Sequence, residues 1–146
     1  MTRTRAEEAA EIFRSGYSCS QAVCLAFADD FGIDRPTALK FSCALGGGMA
    51  HTGNTCGAVS GALMVIGMKY GRTSPDDLAA KERSYELAQK FIREFRRRHH
   101  SVNCTELVGH DLSDPAELAA AREKKLFHTK CAVFVRDAGE ILETLL

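Results

Sequence analysis

The sequence predicts an all-α fold, one compact domain over residues 1–146 made of about seven helices around a central small-residue helix at 55–70. Three observations carry this. Runs of helix formers recur with Ser, Thr, Asn or Asp just before them and Gly just after, the residue types that start and stop helices. Within those runs apolar residues return every three or four positions. No stretch has a persuasive strand pattern: Cys131-Ala132-Val133-Phe134-Val135 is the best candidate, and the charged, leucine-containing segment after it favours helix.

Residues 4–15 are acidic at the front and end before Gly16, which predicts a first helix. Ser18 followed three residues later by Gln21 is a capping-box pattern that opens a helix through Val23, Leu25, Phe27 and Phe31 to Gly32, with Cys19 at its first position. Pro36 opens a short third helix that carries Ala38, Leu39, Phe41 and Cys43. Four glycines then fall within eight positions, Gly46, Gly47, Gly48 and Gly53, and predict a tight irregular path with amides free to face a ligand or a thiol. Thr55 is read as the cap of the next helix, which places Cys56 at its first position; Gly57, Ala58, Ser60, Gly61 and Ala62 let another backbone approach closely, and Gly71 ends it.

Ser74-Pro75-Asp76-Asp77 reads as the start of a long helix whose inner face is Leu78, Tyr85, Ala88, Phe91, Ile92 and Phe95. Its basic end, Arg96 to His100, fits cations at a helix C-terminus, and a solvated helix end is the plainer reading of that run than an anion site. Asn103 with Glu106 repeats the capping-box pattern around Cys104, with Gly109 as the stop. Asp114-Pro115 starts a helix to about Phe127, and Thr129 is read as the cap of a last helix with Cys131 in its first turn.

Composition narrows the function classes. Nineteen Lys and Arg balance nineteen Asp and Glu, so no global field draws nucleic acid or an anionic membrane. No apolar run is long enough for a signal peptide or a transmembrane segment, and the expected location is cytoplasmic. Six cysteines in such a chain do not read as a permanent disulfide framework. None of them stands in a Cys-x-x-Cys pair, which argues against a zinc ribbon, a thioredoxin motif and, without Cys-x-x-Cys-His, covalent haem. The segment 48–55 imitates a phosphate loop only superficially, because asparagine stands where the lysine is needed and no strand precedes it.

Gly16 to Val23 around Cys19, Gly46-Gly47-Gly48-Met49, Cys56-Gly57-Ala58-Val59-Ser60-Gly61, then Cys104-Thr105-Glu106-Leu107 and Cys131 together resemble the C_GCAxxG_C_C family of redox-active proteins over about residues 12–142. The resemblance implies a small domain whose family cysteines are Cys19, Cys56, Cys104 and Cys131, and genes that often lie near transporter genes; it implies no substrate. Cys24 and Cys43 have no place in the pattern and are expected to be buried packing residues.

Each family cysteine follows a cap residue closely, so helix N-termini that converged would stabilise several thiolates together. Such a cluster serves thiol–disulfide exchange with a redox partner protein, or alternatively binds a metal or iron–sulfur cluster through Cys19, Cys56, Cys104 and Cys131; a third reading is a helical interaction domain in which cysteines only pack. Cys56 is taken as the nucleophile because its glycine neighbours leave the sulfur open, with Cys19 resolving and Cys104 and Cys131 as a second pair, although four cysteines allow three pairings and sequence does not choose among them. His51, five residues before Cys56, is a candidate base or ligand, and His110, Asp111 and His128 are candidates to complete a mixed metal site.

Overall fold

Cap side chains decide where the helices of this chain begin. In the computed structural model, which describes residues 3–146, so that the first two residues of the predicted domain lie outside it, eight right-handed α-helices pack together with no named strand among the described residues. Helix α1 (Arg5–Arg14) starts at Thr4, whose hydroxyl accepts the Glu7 N–H while the Glu7 carboxylate accepts the Thr4 N–H. Helix α2 (Cys19–Ala28) starts at the predicted reciprocal box of Ser18 and Gln21. Helix α3 (Arg35–Ser42) is capped by Asp34, and a 3₁₀ turn at Cys43–Leu45 continues it. The remaining helices are α4 (Gly57–Tyr70), α5 (Leu78–His99), α6 (Cys104–Val108), α7 (Pro115–Glu123) and α8 (Ala132–Leu145).

Helix α4 packs against α2, α5 and α8, and α1 lies across α2 and α8. The predicted role of small residues holds at Gly61, where a Cβ would sit 3.0 Å from the Ser20 carbonyl oxygen of α2. Two buried serines lock the start of α2 to α3: Ser20 Oγ donates to the Ser42 carbonyl at 2.8 Å and Ser42 Oγ to the Ala38 carbonyl at 2.6 Å. Val59, Val65, Ile66, Phe91, Phe95, Val135 and Leu142 fill the main core, while Cys104, Val108, Leu112 and Ala121 form a smaller one under α6 and α7. No helix among the described residues is long and apolar enough to cross a membrane.

Four element expectations are corrected. The long helix begins at Leu78, capped by Asp77, because Ser74 to Asp77 close a turn in which Ser74 Oγ accepts the Asp76 N–H and the Ser74 carbonyl accepts the Asp77 N–H. Its inner face is Leu87, Phe91 and Phe95, whereas Leu78 and Tyr85 are 62% and 56% exposed. At 22 residues it is longer than the 14-residue helices it crosses, so its first turns meet no apolar wall. Helix α7 stops at Glu123, two residues before Lys125 turns left-handed (φ 57°). Thr129 caps nothing: its hydroxyl donates to the Lys125 carbonyl inside a π turn, Phe127–Cys131, that runs straight into α8. The basic end of α5 is the largely solvated end expected, with Arg96, Arg97 and His100 exposed, Arg97 and Arg98 on Glu94, and only His99 folded onto Asp137 at 2.7 Å.

Candidate functional site

The glycine loop before α4 is a left-handed turn. Gly47 (φ 68°, ψ 28°), Gly48 (φ 68°, ψ 48°), Met49 (φ 69°), Ala50 (φ 55°, ψ 45°) and His51 (φ 63°) follow one another in the left-handed region. Glycine enters that region freely, but each L-residue there costs about 1–2 kcal/mol. The turn is held by the Asn54 N–H on the Gly48 carbonyl (2.9 Å) and by Thr52 Oγ1 on the same carbonyl (2.8 Å), with Asn54 Nδ2 donating to Thr52 Oγ1.

The chain then pairs with the approach to α6 through an antiparallel bridge between Thr55 and Asn103. The Cys56 N–H donates to the Val102 carbonyl (2.8 Å) and the Cys104 N–H to the Asn54 carbonyl (2.6 Å), so one short bridge fixes both cysteines. Thr55 is therefore a bridge residue, and Cys56 is itself the cap residue of α4, which starts at Gly57 instead of at Cys56 as predicted. Cys104 does open α6, with Asn103 Oδ1 accepting the Glu106 N–H; the Asn103 N–H is taken by Ser101 Oγ, so the box is one-sided. Cys131 closes the π turn and lies in no first turn with open amides.

These elements enclose a cavity of about 610 Å³. Cys19, Cys56, Cys104 and Cys131 all line it, together with His51, His128 and Cys43. Cys24 is buried on α2 against the Gly61 carbonyl and Met64, as expected of a packing residue. Cys43 is not the buried packing residue that the sequence predicts: it is exposed in the 3₁₀ turn that follows α3. His110 and Asp111 do not join His128 on the cavity: His110 Nδ1 faces Glu117 at 3.7 Å and Asp111 accepts from Ser113. Among the described residues no three His, Cys, Asp or Glu side chains are grouped as ligands of one metal ion.

The sulfurs are not electrostatically equal. Hydrogen bonding from the Cys56 thiol, and then from the amides of Gly47, Ser20 and Cys19, lowers the Cys19 thiol from 9.0 to about 7 against the opposing effect of burial. Cys56 is pushed well above its ordinary value because it donates its proton to Cys19, because it is buried, and because charge on Cys19 and Cys131 faces it. Burial, followed by the charge on Cys19, raises Cys104 to about 11 and Cys131 to about 12, where Cys104 adds to the rise and Lys130 opposes it. One half-buried thiol that ionises near neutral pH thus shares the cavity with three that hold their protons there.

Two glycines make room for this arrangement. A Cβ at Gly57 would overlap the Cys19 sulfur, and one at Gly48 would lie 2.6 Å from the Cys104 Cβ. Sequence reading overlooked Arg14, Tyr17, Arg122, Phe127 and Phe134, which also line the cavity. They sit on α1, the connection to α2, α7, the π turn and α8, and no local motif marks any of them.

A family model described as "Putative redox-active protein (C_GCAxxG_C_C)" matches residues 17–145. No curated protein and no solved structure matches the chain.

Proposed function

The chain belongs to the C_GCAxxG_C_C family, and from that membership we propose that it is a thiol–disulfide redox protein in which Cys19 and Cys56 are the exchanging pair. The observation that carries this reading is positional: Cys19 and Cys56 line one cavity, and the Cys19 sulfur lies so close to the start of α4 that a Cβ on Gly57 would overlap it, while the Cys56 thiol and three backbone amides lower the Cys19 thiol to about 7. The thiolate is the attacking species in disulfide exchange, and an attacking thiol is most effective when its pKa lies near the ambient pH. These features support the reverse of the order read from sequence, with Cys19 attacking and Cys56 resolving.

The Cys19 thiolate attacks one sulfur of a partner disulfide, forming a mixed disulfide and expelling the other sulfur as thiolate. Cys56 then attacks Cys19 Sγ, and its proton leaves with the second partner sulfur. Two electrons have passed to the partner, and a Cys19–Cys56 disulfide remains in the protein. Cys104 and Cys131 border the same cavity as a second dithiol and keep their protons at neutral pH, so they enter after the first pair. The setting is taken as the cytoplasm, where thiols are regenerated by reduction.

Peptide mapping after one equivalent of disulfide oxidant tests the pairing. The expected product is a Cys19–Cys56 cross-link, and in C56S a stable mixed disulfide at Cys19. Recovery of both Cys19 and Cys56 as alkylated free thiols, with the cross-link elsewhere, would overturn it.

A further inference from the structure

The charges around the cavity are one-sided. Arg14 reaches it from the last turn of α1 and Arg122 from the last turn of α7, while His51 comes from the left-handed turn and His128 from the π turn. Among the described residues no Asp or Glu lines it, in a chain where the two signs of charge are equal in number. Five of the twelve arginines pair with described carboxylates, Arg3, Arg5, Arg97, Arg98 and Arg136, and Arg14 and Arg122 are among the seven that do not. Neither Arg14 nor Arg122 has a carboxylate partner among the described residues. Between these cations the wall is apolar, with Phe13, Tyr17, Leu107, Leu112, Phe127 and Phe134.

Size and depth narrow the occupant further. The cavity, about 610 Å³, falls within the 300–1,000 Å³ or so typical of small-molecule sites. Cys56 is only 6% exposed, so the exchanging pair is reached down the cavity and not across an open face. In-line attack on a disulfide needs a straight approach to its sulfur, which a slender molecule provides more readily than a folded chain.

We propose that the disulfide taken by this site is a low-molecular-weight anionic one, with carboxylate or a like group held by Arg14 and Arg122 and its sulfurs over Cys19, and not a disulfide on a folded protein. The inference rests on the thiol–disulfide reading above. The balance is RS–SR plus the Cys19 thiolate and the Cys56 thiol giving the Cys19–Cys56 disulfide, one RS⁻ and one RSH. One S–S bond breaks and another forms, two electrons pass from the protein to RS–SR, and the Cys56 proton goes to the second leaving sulfur.

Three small disulfides that differ mainly in charge test this on the full reduced chain: dithiodiglycolate (anionic), bis(2-hydroxyethyl) disulfide (neutral) and cystamine (cationic). Second-order rate constants for loss of the Cys19 thiol are each divided by the rate of the same disulfide with 2-mercaptoethanol, and oxidised insulin is run beside them. The anionic compound is expected to exceed the cationic one by about tenfold or more at low salt, with the ratio shrinking at 1 M salt. In R14Q/R122Q the ratio falls toward one. The salt series needs no variant, so it stands even if the double variant does not fold. Equal normalised rates across the three charges, a faster reaction with cystamine, or insulin outrunning all three would overturn the inference while leaving the exchange reading intact, provided the Cys19–Cys56 cross-link forms. If no disulfide yields that cross-link, the exchange reading itself fails.

Discussion

At the scale of single residues, the proposed behaviour of the site follows from one sulfur ionising near neutral pH and its neighbours only well above it. Alkylation of Cys19 by iodoacetamide should rise with pH with a midpoint near its value of about 7, and in C56S, which exchanges a thiol donor for a more weakly acidic hydroxyl, the midpoint should move. A midpoint above 8.5 in the wild type would show that the amides and the Cys56 thiol do not hold the charge. The same shift links pH to stability. A group whose folded value lies below its unfolded one stabilises the fold above the unfolded value and loses that contribution as pH falls through the folded value. For Cys19 the window runs from 9.0 down to about 7. The melting temperature of reduced wild type should therefore gain on that of C19A between pH 6.5 and pH 8.5, measured by circular dichroism. Cys24, raised to about 12 by burial against a modest opposing hydrogen bond with Ser42, should resist the same reagent throughout.

At the scale of elements, helix starts and left-handed turns set where the sulfurs point. Removing the α2 cap with Ser18→Ala should cost about 1 kcal/mol in urea unfolding. It should also raise the Cys19 alkylation midpoint, since the amides of Cys19 and Ser20 lie in the turn that Ser18 closes. Within the left-handed turn two substitutions should act with opposite sign. Gly48→Ala places a Cβ in a conformation that disfavours it and 2.6 Å from the Cys104 Cβ, so it destabilises; Ala50→Gly removes about 1 kcal/mol of left-handed strain and, less its unfolded-state entropy, is neutral to stabilising. Sequence revealed the Ser18–Gln21 box and the Asn103 cap because both are local hydrogen-bond patterns. It misplaced the start of α4 because Thr55 was judged by its hydroxyl, whereas its backbone is committed to Asn103, a residue 48 positions away. It placed Cys131 in a first turn because a π turn has no composition signature of its own.

For the whole molecule, stability rests on the packing of α2, α4, α5 and α8. Phe95→Ala, with Phe95 fully buried, should cost about 3–5 kcal/mol in chemical denaturation, while Tyr85→Ala on the overhanging part of the same helix should stay within about 0.5 kcal/mol. The helical class and the chain order of the elements were legible from caps and spacing. The inner face of α5 was not, because Leu78 and Tyr85 fit the periodicity of Phe91 and Phe95 and only the lengths of the neighbouring helices expose them. The four cysteines could be selected from the family pattern, but the arginines and aromatic walls around them arise from tertiary packing alone. The close approach of α4 to α2 also gives the Cys-Gly-Ala-x-x-Gly motif a second meaning. Gly57 clears the Cys19 sulfur and Gly61, one helical turn later, clears the Ser20 backbone. Only the first residue of the signature enters the proposed exchange; its two glycines act as a clearance gauge for the neighbouring helix. A variant with serine at position 56 would lose the proposed exchange and still require both glycines to seat α2.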